Sequence, residues 1–175
     1  MSTYDLAQFS SEICAIVKSD GQAGLPRVAE KLQQLLANPA FVAETFDDAM
    51  PPSKRVLFHD PETDVYVLAH VHAPSQRPGA PHTHGVSWAV YGNAKGSTGM
   101  TIWQRVNPAT DGHAELTVVD KYTLGEGQSR PYPTGAIHST NQPEKAWVIR
   151  VTGTDLDVLE RYRFNPKTDT MIEAL

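Results

Sequence analysis

Residues 80–96 read "APHTHGVSWAVYGNAKG", and the fold turns on this stretch. His82 and His84 stand two apart, with Pro81 before them and Gly85 after. The run Val86, Trp88, Ala89, Val90, Tyr91 follows, closed by Gly92 and Gly96. Its β-branched and aromatic residues predict a strand over 86–91. An extended chain has a side-chain period of two, so both imidazoles are expected on one face. Two converging neutral imidazoles make half of a transition-metal site.

Working outward, the N-terminal segment has a different period. Leu6, Phe9, Ile13, Ile16 and Val17 recur every three or four residues and predict a helix within 4–18. "SDGQAGLP" breaks it. A second stripe, Leu25, Val28, Leu32, Leu35 and Leu36, starts at a first-turn Pro26, and a short third turn runs from Pro39 to Thr45. Beyond the connector 47–54 the pattern becomes strand-like. "KRVLFHD" and "DVYVLAHV" read as a hairpin. Further strands are expected at 100–105, 116–124, 147–151 and 156–164. Turn signals such as "GNAKGSTG", "NPATDGH" and "GEGQSRPYP" separate these runs. The reading is one domain over 1–175: N-terminal helices over 1–50, then a β-barrel over 53–164.

A third ligand should come from another strand. In "GQSRPYPTGAIHSTN", residues 127–141, Pro133 and Gly135 predict a tight turn that re-aims the chain at His138. Gly127, five residues, Pro133-x-Gly135, two residues and His138 resemble the second cupin motif, although Asn141 follows that His one residue early. The opening stretch resembles the first cupin motif, His-x-His followed by Glu and a closing Gly. Aligning His84 and Gly96 puts Ala89 in the place of the Glu. The resemblance spans about residues 53–152. It implies a mainly β chain, a cupin double-stranded β-helix barrel (jelly roll), with His82, His84 and His138 as metal ligands and no carboxylate among them.

Three-histidine cupin iron sites mark the cysteine dioxygenase-like thiol dioxygenases. The resemblance therefore implies a mononuclear non-haem Fe(II) dioxygenase that takes O₂ and a small thiol, with or without a carboxylate, to a sulfinate. Imidazole sites also accept Ni, Zn or Cu. The same family places a carboxylate-anchoring Arg near the start of the preceding hairpin, where Arg55 stands. Its Ser-His-Tyr relay falls on Val148, Arg150 and Thr152, so the relay is missing, and Cys14 lies too early for the family's Cys–Tyr crosslink.

Strand alternation puts Val148, Arg150 and Thr152 on one face, which makes Arg150 a second anion-binding candidate. If Ala89 points inward, so does Tyr91, whose phenol is the catalytic candidate. Trp88 is a substrate-contact candidate, and Tyr132 lies near the motifs. His70 and His72 share a face with Leu68 and Tyr66 and read as barrel lining or surface, or as groups that support the metal ligands; His59 and His113 read as solvated. Two other functions stay open: a three-histidine dioxygenase cleaving a carbon–carbon bond of a diketone-like substrate, and a non-enzymatic metal- or small-molecule-binding cupin.

Composition narrows the classes. A net charge of −5 with no basic run argues against nucleic acid and anionic membranes as partners. One cysteine excludes an intramolecular disulfide and fits a reducing compartment. The N-terminus shows neither a basic start nor an apolar core, so the expectation is a cytoplasmic protein. The expected partners are a small molecule and O₂, with a homodimer left open.

Overall fold

The computed structural model describes residues 4–108 and 112–174. The expected turn "NPATDGH" falls partly on 109–111, outside the described residues. Three helices come first: α1 (Leu6–Asp20), α2 (Leu25–Leu36) and α3 (Pro39–Thr45). Asp5 caps α1 by accepting from the Gln8 N–H at 2.8 Å. Asn38 caps α3 in the same way through Ala40, at 3.0 Å. Gly21, at φ 53°, ends α1 in a conformation that suits glycine.

Among the described residues ten antiparallel strands follow: β1 (Ser53–Asp60), β2 (Val65–His72), β3 (Ala89–Lys95), β4 (Thr98–Arg105), β5 (Leu116–Leu124), β6 (Ser129–Tyr132), β7 (Ile137–Asn141), β8 (Ala146–Thr152), β9 (Arg161–Asn165) and β10 (Thr170–Ala174). They form a five-stranded sheet in the order β1-β2-β8-β3-β6, a three-stranded sheet β5-β4-β7 and the ribbon β10-β9. The fold is mainly β, of jelly-roll type, with an N-terminal helical segment.

The two faces of the five-stranded sheet do different work, and the period of two explains how. Val67, Ala69, Val71, Val90, Ala94, Ile149 and Val151 point to the helices, where they meet Phe9, Ile13, Val28, Leu32 and Leu35. Burying each such large apolar side chain contributes about 1.5–3 kcal/mol. Gly92 lets α2 approach the sheet: a Cβ there would sit 2.7 Å from Leu36 Cδ1 and 2.8 Å from Leu32 Cδ2. The alternate residues, His70, His72, Tyr91, Asn93, Val148 and Arg150, face a cavity shared with Leu124, Thr98, His138 and Thr140 of the three-stranded sheet.

Three strand expectations are corrected. The strand expected at 86–91 begins at Ala89, because Gly85 and Val86 form a turn. The segment expected at 156–164 is turn until Arg161. "GEGQSRPYP" is a turn only at its start, since Ser129–Tyr132 pairs with β3. β7 answers to the strand expected to carry His138, for which no bounds were set, and β10 was not expected as a strand. The alternating apolar pattern is absent from "IHSTN", whose inward residues are polar because they line a site rather than a core.

Candidate metal centre

His82 and His84 are not on a regular strand. They lie on the loop before β3, and a single backbone bridge ties His82 to His138 on β7. The bridge is reciprocal, with the His82 N–H on the His138 carbonyl at 2.9 Å and the His138 N–H on the His82 carbonyl at 3.1 Å. Gly85 then turns the chain at φ 60°, its α-carbon so close to the Glu160 carbonyl that a Cβ would fall 2.3 Å from the oxygen. Pinned on one side and turned on the other, the loop aims both rings at His138. One potential ligand atom from each of His82, His84 and His138 lies within 4.8 Å of the others.

The donor chemistry suits a cation. His82 Nδ1 lies 3.1 Å from the Ala80 carbonyl and donates to it, which leaves Nε2 as the lone-pair nitrogen. His138 is fully buried, and neither ring nitrogen has a hydrogen-bond partner. A buried polar atom left unpaired costs about 1–3 kcal/mol, so a fold that keeps this ring here is missing a partner. Burial lowers all three imidazole pKa values: His84 to about 2 and His138 to about 3, where neighbouring rings and Arg150 add to it, and His82 below its ordinary value, where Arg161, Arg163 and Arg150 add to it. Neutral imidazole is the ligand form. Ala89, aligned with the motif's Glu, brings no carboxylate, and none is among the described residues that line the cavity. The residues present fit a transition metal that three neutral imidazole nitrogens would hold.

Around the histidines the cavity is small, about 190 Å³. At about 30 Å³ per water it holds roughly six waters, the room of one small molecule. The Tyr91 hydroxyl lies 3.2 Å from His84 Nε2, and the Tyr91 ring stands edge-on to His138 at 5.7 Å. Tyr132 backs this wall, its ring 5.0 Å from His138 and its phenol hydrogen-bonded to Tyr122. Arg150, paired across the sheet with Leu68 and Tyr91, lines the cavity, and its Nε is buried without a partner.

Arg55 does not reach this cavity. It pairs with Ala69, which points to the helices, and residues directly opposite in an antiparallel ladder share a face. Its guanidinium donates to the Thr45 carbonyl and so caps the end of α3. Trp88 is also on the helix side, packed over Gly153 in the apolar core, and touches no part of the cavity.

Two residues read from sequence as lining or surface belong to the site. His70 and His72 stack with centroids 5.5 Å apart on the wall that carries Arg150. Burial pushes His70 down to about 2, with Arg150 adding to the effect, and His70 Nε2 has no partner. The alternation Leu68, His70, His72 on the face opposite Val67, Ala69 and Val71 was the available signal. Asn93 and Gln142, which also line the cavity, carried no signal of their own.

No family model matches the sequence, and no curated protein does. Solved structures do resemble the fold. A cupin superfamily protein from Desulfitobacterium hafniense has a TM-score of 0.44 at 10% identity, covering 65% of this chain and 87% of its own. KdgF from a Halomonas species gives 0.45 at 16% identity, over 65% of this chain and 91% of its own. Oxalate oxidase in complex with the substrate analogue glycolate gives 0.43 at 16% identity, over 64% of this chain and 56% of its own.

Proposed function

We propose that this chain is a cupin-type, Fe(II)-dependent dioxygenase of the cysteine dioxygenase-like kind that oxidises a small thiol to a sulfinate. The observation that carries the reading is the group His82, His84 and His138, three neutral nitrogens close together, with no carboxylate among the described residues that line the adjoining cavity. Iron held there would supply open positions for substrate and O₂ and the redox capacity to join them. The overall change is R–SH + O₂ → R–SO₂⁻ + H⁺, in which both oxygen atoms end on sulfur.

The protein's own residues bind and orient. Arg150 is part-buried on the cavity wall with its Nε buried and unpaired, and no carboxylate is among the described residues that line the cavity, so an acidic group on the substrate completes it. His70 presents an unpaired ring nitrogen from the same wall and is placed to hydrogen-bond that substrate. The Tyr91 phenol sits beside a ligand ring and can turn toward whatever occupies the cavity. Apolar Leu124 and Val148 limit water.

One observation favours a second reading. Val148 and Arg150 line the cavity where a Ser-His relay would be expected of a thiol dioxygenase, which suits carbon–carbon cleavage of a diketone-like substrate. The test mixes iron-loaded protein with a panel of carboxylated and neutral thiols and with a β-diketone. One sulfinate per O₂ consumed supports the thiol reading. Diketone cleavage without sulfinate supports the second. No O₂ consumption with any substrate leaves a non-enzymatic binding protein.

A further inference from the structure

We infer that Arg161 and Arg163 form a second oxyanion subsite at the mouth of the histidine cavity, and that the substrate is a small molecule with two acidic groups. The inner group would be held by Arg150 and the outer group by this pair; the inference rests on the three-histidine cavity being the substrate site. Residues 161 and 163 are two apart on β9 and so point the same way. Both line a hollow of about 260 Å³ with Gly79, Ala80, His82 and Thr140. His82 and Thr140 also line the inner cavity, so the two spaces adjoin at a metal-ligand candidate.

Two guanidinium groups side by side repel unless an anion sits between them. Among the described residues neither forms an ion pair. Among the described residues the Nε of Arg161 is buried without a hydrogen-bond partner, and no carboxylate lines the hollow. Asp157, which also feels Arg150 and Arg161, is engaged by Lys54. An unpaired cationic pair in a chain of net charge −5 is a local trap for anions. Guanidinium groups are suited to carboxylate and phosphate oxygens through bidentate contacts.

The pair is also held in place relative to the histidines. The Phe164 N–H donates to the Pro81 carbonyl at 2.9 Å, and the Thr83 N–H to the Tyr162 carbonyl at 3.0 Å. The Tyr162 N–H donates to Thr83 Oγ1 at 3.1 Å. These bonds sew β9 onto the loop that carries His82 and His84. The backbone that carries the two arginines is therefore fixed before ligand arrives, which lowers the ordering cost of binding.

The test titrates metal-free protein calorimetrically with α,ω-dicarboxylates from succinate to adipate, each against its monomethyl ester. At least one diacid should bind about tenfold or more tighter than its ester. Arg161→Gln/Arg163→Gln should remove that preference, Arg163→Gln alone should reduce it, and Arg163→Lys should keep part of it. The inference is overturned if no diacid outbinds its ester, or if the preference survives the double variant. Metal content of wild type and of His138→Ala, measured separately, reports on the three-histidine reading. A failure there with the diacid preference intact would remove the metal and leave the anion subsite.

Discussion

His82 and His138 hold each other by two backbone hydrogen bonds, 2.9 and 3.1 Å, while their rings meet edge-on with centroids 4.7 Å apart. The same bridge that closes the barrel therefore brings these two candidate ligands together.

One consequence is thermodynamic. Metal that binds only the folded chain stabilises it by about 2.7 kcal/mol when present at 100 times its Kd. A chain of this size should then melt roughly 5–10 °C higher with Fe(II) or Ni(II) than without. In His138→Ala the metal should leave the melting temperature unchanged. Equal metal-induced shifts in wild type and variant would contradict the assignment.

Acid should destabilise the metal-free protein early. His70, His84 and His138 are buried and have pKa values lowered to about 2, 2 and 3 from an ordinary 6.5. Below pH 6.5 the unfolded chain binds protons that the folded chain refuses, so stability falls as pH falls. The loss begins near 6.5 and continues toward the folded pKa values. By pH 5 it is of order 2 kcal/mol for each ring, since one pH unit is about 1.4 kcal/mol. Urea unfolding of metal-free protein at pH 7.5 and pH 5 measures it; an unchanged midpoint would contradict the burial of neutral rings.

Arg150 and Arg55 should separate cleanly. Removing a bidentate contact to a charged group costs about 1.5–3 kcal/mol, or about ten- to hundredfold in kcat/KM. Arg150→Gln should lose that factor on an acidic thiol and far less on its neutral analogue. Arg55→Ala, which uncaps α3, should change both substrates equally and little. Equal losses on both substrates for Arg150→Gln would make that arginine structural.

The helices were legible in the sequence because their apolar stripes are packed to completion: Phe9, Ile13, Val28, Leu32 and Leu35 are all fully buried. The three histidines were legible because they sit in motifs that turns must shape. The path of the His82–His84 loop was not, since a strand-like spacing is produced here by a bridge and a positive φ at Gly85. Arg55 misled because proximity to the motif says nothing about sheet face, and its face is set by pairing with Ala69. His70 and His72 were visible as an alternation, but only the closing of the second sheet over them made that face a site. Arg161 and Arg163 were hidden inside a strand expected to start at 156.

Gly85 gives a local check on the loop. Gly85→Ala puts a Cβ against the Glu160 carbonyl at a backbone angle side chains rarely adopt, at a cost of order 1–3 kcal/mol. Melting should fall by roughly 3–10 °C. Metal affinity should fall with it, because His84 is the preceding residue. Full retention of both would mean that the loop does not set the ring positions.

The Tyr91 phenol should matter to turnover and not to metal retention. Tyr91→Phe removes one hydroxyl, 3.2 Å from His84 Nε2, and keeps the ring between Tyr132 and His138. One neutral hydrogen bond is worth about 0.5–1.5 kcal/mol, so kcat should fall about two- to tenfold. Metal content, measured beside it, should stay at the wild-type level. Loss of the metal in Tyr91→Phe would instead make the phenol part of the metal-holding structure.

The three-histidine centre itself is tested most directly by metal stoichiometry. Wild type and the single variants His82→Ala, His84→Ala and His138→Ala are dialysed against Fe(II) without oxygen, freed of excess metal and analysed by elemental analysis. The expected result is about one ion per chain in the wild type and less than about a tenth of that in each variant, with the far-UV circular dichroism of all four alike. Near-stoichiometric metal in any two of the variants would contradict the centre.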